Sequence, residues 1–212
     1  MKVQDLIPLI RHIINEAAVP EDPFTAETDE AIKDFIRSAM VQLAAMPSYQ
    51  GTPATLKGVD RVTYSKRPDG LYYAEISIPD NCLRAVSVNM KGWVRPVYEF
   101  FPASGTLFLQ QYSSVLGIGA GASSPVAFIT TGGERLVIAH ATKESGNCEF
   151  LYIAVPEIGS DGSISIPDVY REALAYTAAA LYMQSINEYD AAKAAFDSAG
   201  SFIQSINSKV VQ

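Results

Sequence analysis

Helical periodicity at both ends of the chain, separated by a middle that lacks it, is the feature that most restricts the fold. In Val3–Ala18 apolar side chains recur three and four positions apart, as in an amphipathic helix. Pro8 falls inside this pattern, so the helix is expected to begin near Leu6 or to be kinked there. A second helix follows, with Thr25 as its candidate N-cap and Pro47 as its stop. Its buried side is predicted to comprise Ile32, Phe35, Ile36, Ala39, Met40, Leu43 and Met46.

The C-terminal end is predicted to be a pair of alanine-rich helices joined at Asn187. Ser165 is the expected N-cap of the first helix. Alanine permits close helix–helix approach, so Ala180 and Ala195 are expected at the contacts between helices. Gly200 costs about 1 kcal/mol in a helix interior, and it is expected to mark a tight crossing or a break. The shared face of the second helix is predicted to comprise Phe196, Ala199, Ile203 and Ile206.

Between these ends, short apolar segments separated by Gly, Pro, Asn and Asp predict β-strands. The eight segments are residues 59–66, 71–79, 82–90, 93–100, 106–110, 126–131, 135–141 and 148–155. Turns are predicted at Pro68-Asp69-Gly70, Lys91-Gly92 and Gly132-Gly133. The predicted fold class is therefore α+β, with N- and C-terminal helices forming a helical bundle and a central antiparallel β-sandwich or small barrel as an insert. The helical frame is assigned to residues 1–50 and 166–212, and the β-rich insert to 51–165.

The histidines and cysteines do not occur at the spacings that are typical of metal-binding or catalytic sites. His12 falls on the polar side of the first helix and His140 ends an apolar strand, without an HxxxH, HxH or CxxC spacing that would indicate zinc. Cys82 and Cys148 lie in apolar strand-like segments and are predicted to be buried thiols. We therefore predict no catalytic, cofactor-binding or metal-binding residues, and no cofactor.

A glycine-rich loop at residues 117–125 has the composition of a nucleotide-binding loop. In such loops the glycines lead into a helix whose N-terminus binds phosphate. Here Ser123-Ser124-Pro125 and another strand-like segment follow, and the lysine of a P-loop is missing. The loop is predicted to be mobile and not to bind a cofactor.

The chain is acidic, with a net charge of −7. No predicted helix face carries the basic patch with which proteins bind nucleic acid by counterion release. No segment approaches the ~20 apolar residues that span a bilayer, and the first residues lack the features of a signal peptide. Tight nucleic-acid binding and a membrane partner are therefore disfavoured, and cytosolic synthesis is expected.

Three segments, taken in order, resemble a known family. Residues 6–43 form a helix, an acidic turn and a helix; residues 76–88 form a strand, Pro-Asp and a strand; residues 151–196 form a strand, a proline-containing link and a helix pair. In this order the chain resembles the head-to-tail adaptor, or connector, proteins of tailed phages, especially those of short-tailed and crAss-like phages. The resemblance covers most of the chain and is one of overall pattern.

The resemblance implies a structural protein of the virion, made in the host cytoplasm and located at the head–tail junction, and not an enzyme. It implies a homo-oligomeric ring, for which twelve-fold symmetry is the expectation, contacting the portal protein and further tail or ring proteins. Genomic DNA would pass through the lumen without specific binding, because an acidic wall does not hold DNA by counterion release.

The sequence is also compatible with two other functions. A carbohydrate- or surface-binding β module with helical docking ends would need an aromatic platform, for which Tyr72, Tyr73, Trp93 and Tyr98 are candidates. An enzyme would need polar side chains that are distant in the sequence to meet in the fold.

Overall fold

The predicted α+β architecture is confirmed, with helices at both ends of the chain and β-sheets between them. The structure, a computed structural model, describes residues 1–17, 26–58, 61–66, 72–111, 120–130, 132–142 and 146–210. Contacts group the chain into a helical unit, Met1–Gly51 with Val155–Gln212, and a β unit, Thr52–Ala154. The domain boundaries assigned from the sequence stay a prediction.

The helical unit is built around one alanine-rich helix. The helices of the chain are α1 (Val3–Ala17), α2 (Ala26–Ala45), α3 (Thr106–Gln110), α4 (Arg171–Ser185) and α5 (Tyr189–Val210), and a 3-10 turn at Asp168–Tyr170 precedes α4. Helix α4 packs against α1, α2 and α5. It is buried around most of its circumference, as expected of a helix without a polar face. Its buried residues are Ala173, Leu174, Ala175, Thr177, Ala178, Ala179, Ala180 and Met183.

The two N-terminal helices follow their predicted patterns with one correction. Helix α1 begins at Val3 and not near Leu6, with Pro8 inside it. Pro8 has no N–H to donate to the carbonyl of Gln4, but both residues are exposed, so water can satisfy that carbonyl. Thr25 lies outside the described residues. Of the predicted buried side of α2, Phe35 and Met46 are half-buried, and the fully buried members are Ile32, Ile36, Ala39, Met40 and Leu43.

At the C-terminal end the joint at Asn187 is confirmed, because this residue has a left-handed backbone with φ of 65° between α4 and α5. The capping role of Ser165 is wrong. Its hydroxyl oxygen accepts a hydrogen bond from the backbone N–H of Glu157 at 2.9 Å, and α4 begins only after the 3-10 turn. The expectation for Gly200 is also wrong, because α5 runs through it unbroken and an added Cβ would meet no atom within 4 Å.

Two sheets that share one core form the β unit. The strands are β1 (Ala54–Gly58), β2 (Val62–Lys66), β3 (Tyr72–Ser77), β4 (Cys82–Met90), β5 (Phe100–Pro102), β6 (Ala127–Ile129), β7 (Leu136–Thr142) and β8 (Cys148–Ala154). One sheet has the order β1-β8-β4 and the other β2-β3-β7-β6-β5. Buried side chains from both sheets form a single cluster, including Ile76, Val88, Val137 and Phe150. This is the packing of a sandwich, and the described strands do not close into a barrel.

Two strand predictions need correction, and one strand was not predicted. Residues 106–110 form helix α3 and not a strand. The segment 93–100 pairs with β4 only through the reciprocal hydrogen bonds of Val88 and Val97, both 2.9 Å, and its one strand residue, Phe100, opens β5. Strand β1 was not predicted, because its sequence ATLKG has a single large apolar residue. The sheets are also not wholly antiparallel, since β5 and β6 pair in parallel.

Replacing Ala195 by leucine is expected to lower the free energy of unfolding by about 1–3 kcal/mol, because the added atoms overfill a packed contact. Ala195 is 5% exposed on α5, the helix that packs along α4. The neighbouring Ala194 is exposed, so Ala194→Leu is a matched control with an expected effect within about 0.5 kcal/mol. Urea unfolding of the two variants measures the difference, and equal values would show that Ala195 is not at a contact.

Candidate interaction surfaces

The two histidines belong to different units of the chain. His12 is exposed on α1. His140, on β7, is fully buried, with its ring centroid 5.7 Å from that of Phe108 and 5.5 Å from that of Phe128. Both phenylalanine rings meet it edge-on, which is a favourable packing geometry. His140 therefore belongs to the core of the β unit.

The thiols of Cys82 and Cys148 are buried and free, as predicted. They lie at opposite ends of the β4–β8 pair, since Cys82 faces Ala154 and Cys148 faces Met90 in the register. Burial raises the pKa of both thiols, that of Cys148 to about 12 with a further contribution from Glu149. A thiol with a raised pKa is a poor nucleophile at neutral pH, so neither cysteine has the properties of a catalytic residue.

The described residues contain no group of three or more His, Cys, Asp or Glu side chains that could hold a metal ion. None of their helices is long and apolar enough to cross a membrane. The predicted lack of catalytic, cofactor-binding and metal-binding residues stays a prediction.

Only the end of the glycine-rich loop belongs to the described structure, since Gly117 and Gly119 lie outside it. Gly121 and Ser124 form a tight turn through reciprocal hydrogen bonds of 2.9 and 3.3 Å. The carbonyl of Ala122 accepts a hydrogen bond from the N–H of Val94 at 3.0 Å. This end of the loop is therefore attached to the segment that follows β4.

The aromatic residues considered for a carbohydrate platform are not gathered on one surface. The ring of Tyr73 lies 6.0 Å from that of His140. Trp93 packs against the core and lines a groove, whereas Tyr98, 71% exposed, lines a separate cleft of about 240 Å³. Neither of these two depressions contains a second member of the set, so the structure does not favour a sugar-binding platform.

The groove beside Trp93, here called the lysine groove, is the larger depression, with a volume of about 720 Å³. Lys57 forms a cross-strand salt bridge with Glu149 at 3.2 Å. The stem of Lys91 lies over Gly146, where an added Cβ would stand 2.6 Å from Cδ of the lysine. The glycine therefore makes room for the lysine stem. The lining residues are Lys57, Asn89, Met90, Lys91, Gly92, Trp93, Asn147, Cys148 and Glu149.

The turn after α4 and the first two residues of α5, together residues 186–190, form an exposed surface of the helical unit that is here called the α4–α5 corner. Ile186 is 45% exposed and Tyr189 is 64% exposed. The hydroxyl of Tyr189 donates a hydrogen bond to Oδ1 of Asn187 at 3.0 Å. The corner also carries two exposed carboxylates, those of Glu188 and Asp190.

Charge is divided unequally between the two units. The helical unit has 7 Lys+Arg and 15 Asp+Glu residues, a net charge of −8, whereas the β unit has 9 and 8, a net charge of +1. With the boundaries predicted from the sequence, the difference in net charge between the two parts is smaller, because residues 155–165 add two carboxylates to the insert. The lysine groove could not be predicted from the sequence, since Lys57 lies on the unpredicted strand β1.

Further large apolar side chains are exposed on the β unit, namely Val94, Tyr98, Leu107 and Leu109. Exposed apolar side chains and groups of like charge are features through which proteins contact one another. The described residues therefore offer surfaces for recognition on both units.

The comparisons with known proteins agree with this conclusion. Residues 1–210 match the family model described as SU10 adaptor protein. The match extends over both the helical unit and the β unit. No curated protein matches the chain.

Proposed function

We propose that this chain, which belongs to the SU10 adaptor protein family, assembles into a homo-oligomeric ring at the head–tail junction of the virion, beneath the portal protein. Family membership makes it a phage adaptor, a structural class of proteins and not an enzyme class, as the resemblance implied. The observation that carries the proposal is the match over residues 1–210, which includes every described element of both units.

The distribution of charge supports the passage of DNA through such a ring. A surface that holds DNA neutralises phosphates with lysine and arginine and releases counterions. The helical unit instead has a net charge of −8. A lumen lined by this unit would repel the phosphates, so DNA would pass without being retained.

The ring is tested by mass photometry and electron microscopy of the purified chain, alone and co-expressed with the portal protein of its phage. We expect closed rings, either free or on the portal, and no measurable binding of double-stranded DNA at physiological salt. A chain that stays monomeric both alone and with the portal would contradict the proposal.

A further inference from the structure

We propose that the lysine groove of one copy receives the α4–α5 corner of the next copy in the ring. This inference rests on the proposed function and identifies the contact that builds the ring. The groove belongs to the β unit and the corner to the helical unit. Such a contact joins two different surfaces, and repeated heterologous contacts of this kind generate rings when the rotation closes.

Charge complementarity is the first argument for a second copy as the occupant. The groove presents Lys57 and Lys91 against a single carboxylate, Glu149. The corner presents Glu188 and Asp190, which form no ion pair within the part of the chain that the structure describes. Opposite charges at these two surfaces attract and fix the register of the contact.

The charge of the whole units favours the same pairing. Two helical units, each with a net charge of −8, repel one another, whereas a helical unit and a β unit with a net charge of +1 do not. Long-range electrostatics therefore steers the helical unit of one copy towards the β unit of another. The lysine groove is the larger of the two depressions described on that unit.

Apolar contact is the second argument. The groove presents the partly exposed Trp93, and the corner presents Ile186 and Tyr189. Aromatic residues are enriched at protein interfaces, where they form the central contacts. The hydrogen bond to Asn187 holds the Tyr189 side chain in place before binding, which reduces the entropy lost on association.

Charge reversal on either surface tests the contact. Lys91→Glu places a carboxylate opposite Glu188, and Glu188→Lys places an ammonium opposite Lys91. Each variant alone is expected to raise the concentration needed for half-assembly at least about tenfold, because like charges are then juxtaposed. Lys66→Glu is the matched control, since Lys66 is exposed on β2 outside the groove, and it is expected to assemble like the wild type.

Mixing the two defective variants provides the decisive measurement. In an alternating ring, the carboxylate introduced by K91E in one copy would face the ammonium introduced by E188K in its neighbour. At the next contact, the unaltered Lys91 and Glu188 would face each other. An equimolar mixture of K91E and E188K is therefore expected to assemble at close to the wild-type concentration. The measurement is sedimentation velocity under the conditions in which the wild type forms rings, alone or with the portal protein.

The outcomes separate this inference from the proposed function. A wild-type chain that never assembles would contradict both. If the wild type forms rings and both K91E and E188K assemble equally well, the inference is wrong but the proposed ring is not contradicted. The same holds if both variants are impaired and their mixture does not assemble. Circular dichroism checks the fold of each variant. If either is destabilised, Lys57→Glu in the groove and Asp190→Lys in the corner carry the same test.

Discussion

Replacing Tyr170 by alanine is expected to lower the free energy of unfolding by about 3–5 kcal/mol, as for other large aromatic side chains removed from a core. Tyr170 is 1% exposed and lies in the 3-10 turn that leads into α4. Its ring packs against that of Tyr49 with centroids 4.8 Å apart, and its hydroxyl oxygen accepts a hydrogen bond from the N–H of Gln50 at 2.8 Å. The substitution removes the packed ring and the hydrogen bond together.

Two variants separate these contributions. Tyr170→Phe keeps the ring and removes the hydrogen bond, at an expected loss of about 0.5–1.5 kcal/mol. Tyr98→Ala removes a tyrosine that is 71% exposed, so its effect should stay within about 0.5 kcal/mol. Urea unfolding is measured at concentrations where the chain is monomeric, since assembly would add to the apparent stability. If Tyr170→Ala cost no more than Tyr98→Ala, the packing described for Tyr170 would be wrong.

The neighbouring Tyr49 makes the stability of the helical unit depend on pH in the alkaline range. Burial raises the pKa of its hydroxyl to about 12, and the nearby Tyr170 contributes to this rise. The unfolded chain then loses this proton at lower pH than the folded chain. The helical unit is therefore expected to lose stability as pH rises from about 10 towards 12, with no pH dependence from this group near neutral pH.

Replacing Phe150 by alanine is the corresponding change in the β unit, with an expected loss of about 3–5 kcal/mol. Phe150 is fully buried on β8, the central strand of its sheet. It stacks on Tyr152 with centroids 5.7 Å apart, and it meets Phe100 of the other sheet edge-on at 6.4 Å. The substitution therefore leaves a cavity between the two sheets and removes aromatic contacts on both sides.

The buried thiols report this change directly. Cys82 and Cys148 lie in the same core cluster as Phe150, and burial raises the pKa of both. At about pH 8 the folded wild type should be alkylated slowly, because the thiolate is the reactive form and both sulfurs are buried. Phe150→Ala should accelerate alkylation by opening the core more often. The Tyr98→Ala variant is again the control, and equal alkylation rates in both variants would contradict the prediction.

Together, the two large substitutions test the predicted division of the chain into domains. If the helical unit and the β unit unfold independently, hydrogen exchange will accelerate within the helical unit for Tyr170→Ala and within the β unit for Phe150→Ala. Acceleration throughout the chain in both variants would show one cooperative domain.

The helices were predictable because their signal is local. Each backbone hydrogen bond of a helix joins residues four apart, and the apolar period can be read from one segment. The strands were less predictable, and residues 106–110 show why. Their three consecutive large apolar residues predicted a strand. The segment is the short helix α3, in which Phe108 packs edge-on against Phe128 at 5.2 Å and Leu107 and Leu109 are exposed. A segment of five residues is too short for its hydrophobic period to distinguish a strand from a helix.

By itself, the sequence determined the helical ends, the β-rich middle, the burial of the two thiols and the pattern that resembles phage adaptors. These properties depend on composition and on spacings of a few residues. Only the tertiary structure decided which strands pair and which surfaces they form. Ala54 pairs with Tyr152, and Lys57 meets Glu149, each across more than ninety residues of chain. The lysine groove exists because three such distant segments meet, and no local pattern in the sequence encodes that meeting.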